Sequence, residues 1–163
     1  MMKYTVVLAS LLFFTASAIG ADQMQAKTDV EKIMNAMLPF AVQMLEKQGE
    51  FFPYGVAMTP AGEVVSIGGY DGREQPPSQG IINLLKDSFR SAAKTKKYRA
   101  TGIFFNVRTV PPGTTEKTDA VAIALDHKDN YSVVVYFPYK LKAGKVQFGQ
   151  VFSAAGANDI FGK

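Results

Sequence analysis

The chain has 163 residues, 47% of them hydrophobic and 20% charged, with a formal net charge of +4 and no cysteine. That balance excludes a disordered chain and a disulfide framework, and the length suits one domain that buries its own core. The only dense basic cluster, Lys94, Lys96, Lys97 and Arg99, is too short for a nucleic-acid footprint and reads as a basic helix end that complements the helix dipole.

Met1 to Ala21 read as an export signal. Lys3 gives the positive leader, Thr5 to Phe14 give an apolar run, and the small residues around Ala18 and Ala21 give cleavage patterns. The apolar part, Val6 to Phe14, is broken by Ser10 and falls short of the roughly 20 residues that cross a bilayer. With no cysteine to acylate, a lipid anchor is not expected either. The sequence thus predicts a signal peptide over residues 1–21 and a single domain over residues 22–163, destined for the periplasm or the exterior and not inserted in a membrane.

Val30, Ile33, Met34, Met37, Leu38, Ala41, Met44 and Leu45 recur at helical spacing, so Asp29 to about Gln48 is expected to be an amphipathic helix, kinked near Pro39. A hairpin follows, Tyr54 to Met58 and Val64 to Tyr70, turned by Thr59-Pro60-Ala61-Gly62. Ser78 is the expected N-cap of a second amphipathic helix from Gln79 to about Lys94. Four strands come after it: Tyr98 to Val110, Asp119 to Asp126, Tyr131 to Phe137 and Lys145 to Ser153. Short links make sequential strands antiparallel neighbours. The expected fold is α+β, one mainly antiparallel sheet of five to six strands with two helices, in an element order that looks like profilin, roadblock and longin domains.

Within the strands, Ala120, Ala122 and Ala124 alternate with Val121, Ile123 and Leu125, and Ala100 and Gly102 alternate with Thr101 and Ile103. The pattern predicts one bulky sheet face and one small one, the latter either a helix seat or the floor of a ligand groove.

Chemistry-bearing residues are sparse. His127, the only histidine, is placed by the pattern in a solvated turn with Asp126 and Asp129, with no nucleophile motif or second histidine to complete a catalytic or metal set. No glycine pattern of phosphate-binding type occurs, and no cofactor or metal is expected. The most distinctive stretch runs from Arg108 through Pro111-Pro112-Gly113 to Asp119. Its charges, Arg108, Glu116, Lys117 and Asp119, suit an ionic grip on a partner, with Arg108 as a bidentate fork, or else an Arg108–Asp119 pair across the base of an exposed loop. Tyr136 and Tyr139 add the aromatics of a binding surface.

Phe51-Phe52-Pro53-Tyr54-Gly55, Tyr70-Asp71-Gly72, Arg108 with Pro111-Pro112-Gly113, Asp119-Ala120 and Phe137-Pro138-Tyr139 together resemble a family of small uncharacterised exported bacterial α+β proteins. The likeness runs from about Glu50 to Phe161 and implies no activity or catalytic residue. Three functions follow from the residues. The leading one is a non-catalytic domain that binds another protein, inhibitor-like or immunity-like. The others are a small-ligand carrier on the alanine and glycine face, and an enzyme using Arg108, Asp119 and His127.

Overall fold

The first helix forms one wall of the core. α1 (Ala16–Gln48) presents Val30, Ile33, Ala41 and Leu45 to the sheet, with Met34, Met37, Leu38 and Met44 packed beside them as spacing on one helical face requires. The computed structural model describes residues 16–69 and 71–162, so the expected leader up to Thr15, and Tyr70 of the expected turn, lie outside the described residues. α1 starts well before the expected Asp29, because apolar periodicity marks where a helix is buried rather than where it begins. It continues through Pro39, and here the Tyr54 hydroxyl donates to the Met37 carbonyl at 2.8 Å, tying this turn to the first strand.

The strands are β1 (Tyr54–Met58), β2 (Val64–Ile67), β3 (Ala100–Thr109), β4 (Thr118–His127), β5 (Tyr131–Lys142), β6 (Lys145–Phe148) and β7 (Phe152–Ala155), with α2 (Ser78–Lys94) between β2 and β3. They form one antiparallel sheet in the order β2-β1-β3-β4-β5-β6, with β7 also paired to β5. The α+β class holds, and the sheet has seven strands where five to six were expected. The extra strand arises because Lys145 to Ser153 is two strands. Gly149 N–H donates to Pro138 O at 2.7 Å, on the side where a proline has no N–H to return, so the ladder breaks and the chain resumes on β5 as β7. Ser78 is the first residue of α2 and not its cap, for Pro77 occupies the cap position without a side-chain bond.

Strand register changes the expected faces. Phe104 pairs with Ile123, Gly102 with Leu125 and Phe105 with Ala122. Paired residues share a face, so the alanines of β4 lie beside Ile103, Phe105 and Val107, while Ala100 and Gly102 lie on the opposite face. The sheet therefore has no single small face; each face mixes large and small residues.

One close approach on each face seats a helix. A Cβ on Gly102 would stand 2.9 Å from Ile33 Cγ2, and one on Gly55 would stand 2.8 Å from Phe89 Cζ. Glycine thus lets α1 descend onto β3 from one side and α2 onto β1 from the other. α1 covers β1 to β6, whereas the backbone of α2 approaches β1 and β3, with Ile81, Leu85 and Phe89 against Ala57, Ile103 and Ile160. No described helix is long and apolar enough to cross a membrane.

Candidate functional site

Ile82 and Lys86 of α2 reach over the α2-side face as far as Phe105, Ala124 and Val134, and beyond them the surface there is made by the strands themselves. Phe105, Ala122 and Tyr136 lie side by side across β3, β4 and β5, and Tyr136 faces Phe152 of β7. Tyr136 and Phe152 stack with ring centroids 4.8 Å apart. Ala120 and Ala122 are fully buried while Phe105, Val107, Val134 and Tyr136 are half-buried, so the large residues roof the alanines. Ala120 and Ala122 are consequently covered, and the face beside them is an apolar and aromatic patch.

The patch ends in a cleft of about 740 Å³ between two loops, 110–117 and 149–151. Such a volume falls in the range of ligand-enclosing pockets. The first loop is held by Thr114, whose N–H and hydroxyl both donate to the Pro111 carbonyl at 3.2 and 2.8 Å, with Gly113 at φ 75°. Pro138, Gly149 and Phe152 form the other wall, and Glu116, Lys117 and Lys140 the polar rim. Val110 and Val151, one on each loop, stand exposed.

The six expected binding residues are divided by this arrangement. Glu116 and Lys117 line the cleft, and Tyr136 belongs to the patch. Arg108 and Asp119 are cross-strand partners on the other face, 3.5 Å apart and with side chains 71% and 52% exposed, so they form the surface pair at the loop base. Tyr139 is buried on the α1 side; its hydroxyl donates to Asn106 Oδ1 at 3.2 Å, and burial pushes that phenol up against the opposing effect of this bond. Strand parity removes it from any binding surface, because Tyr136 and Tyr139 differ by an odd number of positions.

His127 is no solvated turn residue. It ends β4 and is 1% exposed. Asp129 N–H donates to its Nδ1 at 3.1 Å, which leaves the ring proton on Nε2, 3.1 Å from Asp29 Oδ2. Asp29 is itself buried and takes Arg99 Nη2 at 2.7 Å and Gln25 Nε2 at 3.0 Å. Burial raises the Asp29 carboxyl, but the bonds from Gln25, His127 and Arg99 outweigh it and hold the group below its ordinary value. Nε2 thus ties α1 to the end of β4 through Asp29, while Nδ1 is taken by the turn that follows β4. At about 3.3 Å per residue, His127 lies roughly 26 Å along β4 from Asp119, so Arg108, Asp119 and His127 do not assemble.

Asp126, the last residue of the expected fourth strand, lies within β4 but is buried, 7% exposed, on the same face as Ala122 and Ala124. The available signal was its place in the alternation, an acid continuing a row of inward-facing alanines. Burial raises its carboxyl above the ordinary value, against a lowering contact with Ser132. Among the described residues no three His, Asp or Glu side chains cluster as a metal site. No family model, curated protein or solved structure matches the chain.

Proposed function

We propose that this chain is an exported, non-catalytic domain that binds another protein, in the manner of an inhibitor or immunity factor, through the cleft and the patch beside it. The observation that carries the reading is the half of the sheet that α2 leaves uncovered. It carries Phe105, Tyr136 and Phe152 and ends in the cleft rimmed by Glu116, Lys117 and Lys140, with Val110 and Val151 exposed on the flanking loops. An aromatic, apolar centre with a charged rim is the anatomy of a protein interface.

The contacts of α1 support processing near Ala21. Gly20, Ala21 and Asp22 are exposed, whereas Gln23 donates to the Asp129 carbonyl at 2.7 Å and Ala26 is fully buried. Cleavage after Ala21 removes none of these contacts.

The test pairs capture with variants. The mature domain and its Val151→Arg and Arg108→Ala variants serve as bait for envelope and culture-medium proteins. A partner held by the parent and by Arg108→Ala, but lost with Val151→Arg, supports the reading; equal capture by all three, or none by the parent, overturns it. Export is read from the intact mass of the chain recovered outside the cytoplasm, which should lack the residues up to about Ala21. An unshortened, cytoplasmic product refutes that part.

A further inference from the structure

At the end of the sheet away from the cleft, α2, the sheet and the C-terminal segment enclose a cavity of about 230 Å³. Ile82, Phe105 and Val134 give it apolar walls, and Asp126 and Asp159 give it carboxylates. It is smaller than the roughly 300 to 1,000 Å³ that hold drug-sized ligands, and so suits a single short side chain or a small molecule.

Asp126 Oδ1 is buried here without a hydrogen-bond partner among the described residues, although buried acceptors are almost always satisfied. Asn158 Oδ1 is a second such acceptor; its own N–H donates to Ser132 Oγ at 3.0 Å, and Ser132 lines the same cavity. The cations nearby are engaged elsewhere. Lys86 and Arg90 reach Asp159 Oδ2 at 2.8 and 2.9 Å, and Arg90 also reaches Asp87 at 3.1 Å. Of the two carboxylates that line the cavity, Asp159 takes both cations, Lys86 of the cavity wall among them, and Asp126 makes no ion-pair contact among the described residues.

A missing donor beside a carboxylate that makes no ion-pair contact, next to an apolar wall, specifies the ligand's chemistry. It must bring N–H groups, one positive charge and a short hydrocarbon stem. A bare divalent metal does not fit, since calcium takes six or more oxygen ligands and the described residues bring no such group together. We propose that this cavity binds an alkylammonium group, its N–H bonded to Asp126 Oδ1 and its stem lying between Ile82, Phe105 and Val134. The group comes either from a free small amine or from a lysine side chain of a bound protein. This assignment is independent of the cleft at the opposite end of the patch.

Amide NMR titration of the mature domain tests it with three probes: butylammonium, Nα-acetyl-lysine methylamide and tetramethylammonium. The first two are expected to shift the amides around Ala124, Val134 and Ala157 with affinities in the millimolar range. Tetramethylammonium, which has no N–H, is expected to leave them unmoved. Saturation by butylammonium alone marks a free amine, and saturation by the lysine amide marks a partner's side chain. Asp126→Asn keeps the shape and removes the charge, and should weaken binding by about tenfold or more. Ala124→Leu fills the cavity from its apolar side and should abolish binding with Asp126 in place. Failure of both primary ammonium probes to bind, equal binding of tetramethylammonium, or undiminished binding by Asp126→Asn overturns the assignment.

Discussion

Asp29→Ala removes the acceptor that holds α1 to the sheet, and its cost can be worked from the contacts. The carboxylate takes Arg99 at 2.7 Å, Gln25 at 3.0 Å and His127 at 3.1 Å. Gln25 is exposed and rebonds to water at little cost. The Arg99 side chain is 25% exposed and recovers part of its hydration, but the His127 side chain, 2% exposed, recovers almost none. A stranded buried donor costs about 1 to 3 kcal/mol and a broken, largely buried ion pair about 3 to 5. Allowing for the exposure of Arg99, the variant should lose about 3 kcal/mol, or roughly 10 °C in Tm for a domain of this size.

The pH dependence carries a definite sign. Because the folded-state carboxyl of Asp29 lies below its ordinary value, its contribution is complete above that ordinary value and is lost as pH falls through the lower folded one. Urea unfolding at neutral pH should therefore show the full difference between parent and Asp29→Ala, and acid should shrink it. A loss below about 1 kcal/mol at neutral pH, the range of an ordinary surface pair, refutes the assignment of this cluster as the tie between α1 and the sheet.

Three further outcomes are expected. Asp126→Asn should be more stable than the parent at neutral pH, because burial, outweighing Ser132, Lys86 and Arg90 and reinforced by Asp159, raises the Asp126 carboxyl. The sign here is opposite to that of Asp29: the parent loses stability as pH rises through the raised folded value, so in urea titrations the gain should vanish in acid. Gly102→Val places a branched side chain where a Cβ already meets Ile33 at 2.9 Å and Leu125 at 3.2 Å; thermal melts should show a loss of about 1 to 3 kcal/mol, and an unchanged Tm rules out the close seating of α1. Arg108→Ala breaks only an exposed pair, so a change above about 1 kcal/mol in urea unfolding contradicts its surface role.

The local parts of the fold were legible. Helical periodicity located both buried helix faces, and Pro60 with Gly62 located the first turn, where Gly62 takes φ 86° and its N–H reaches the Thr59 carbonyl at 2.9 Å. Of the candidate site, Glu116 and Lys117 stand on the loop that Pro111, Pro112 and Gly113 mark in the sequence, and Tyr136 stands on the open face. Arg108, Asp119 and Tyr139 were misplaced because a strand's alternation says which residues share a face within that strand but not which face of the sheet it is. Asp126 and His127 looked exposed because polarity near Asn130 suggested solvent, whereas α1 and the C-terminal segment bury them.

The sequence by itself determined a cysteine-free α+β chain of antiparallel strands with two amphipathic helices, for these follow from interactions between residues a few positions apart. Only the tertiary structure decided which residues stand together. Register set the β4 alanines beside Phe105 and Tyr136, and the backbone of α2 stopped short of β4, leaving the aromatic patch open. The return of the C-terminal segment brought Asp159 within 2.8 Å of Lys86 and closed the cavity over Asp126. Each depends on contacts between residues far apart in the chain, whose partners are chosen by packing the whole sheet and which no local pattern records.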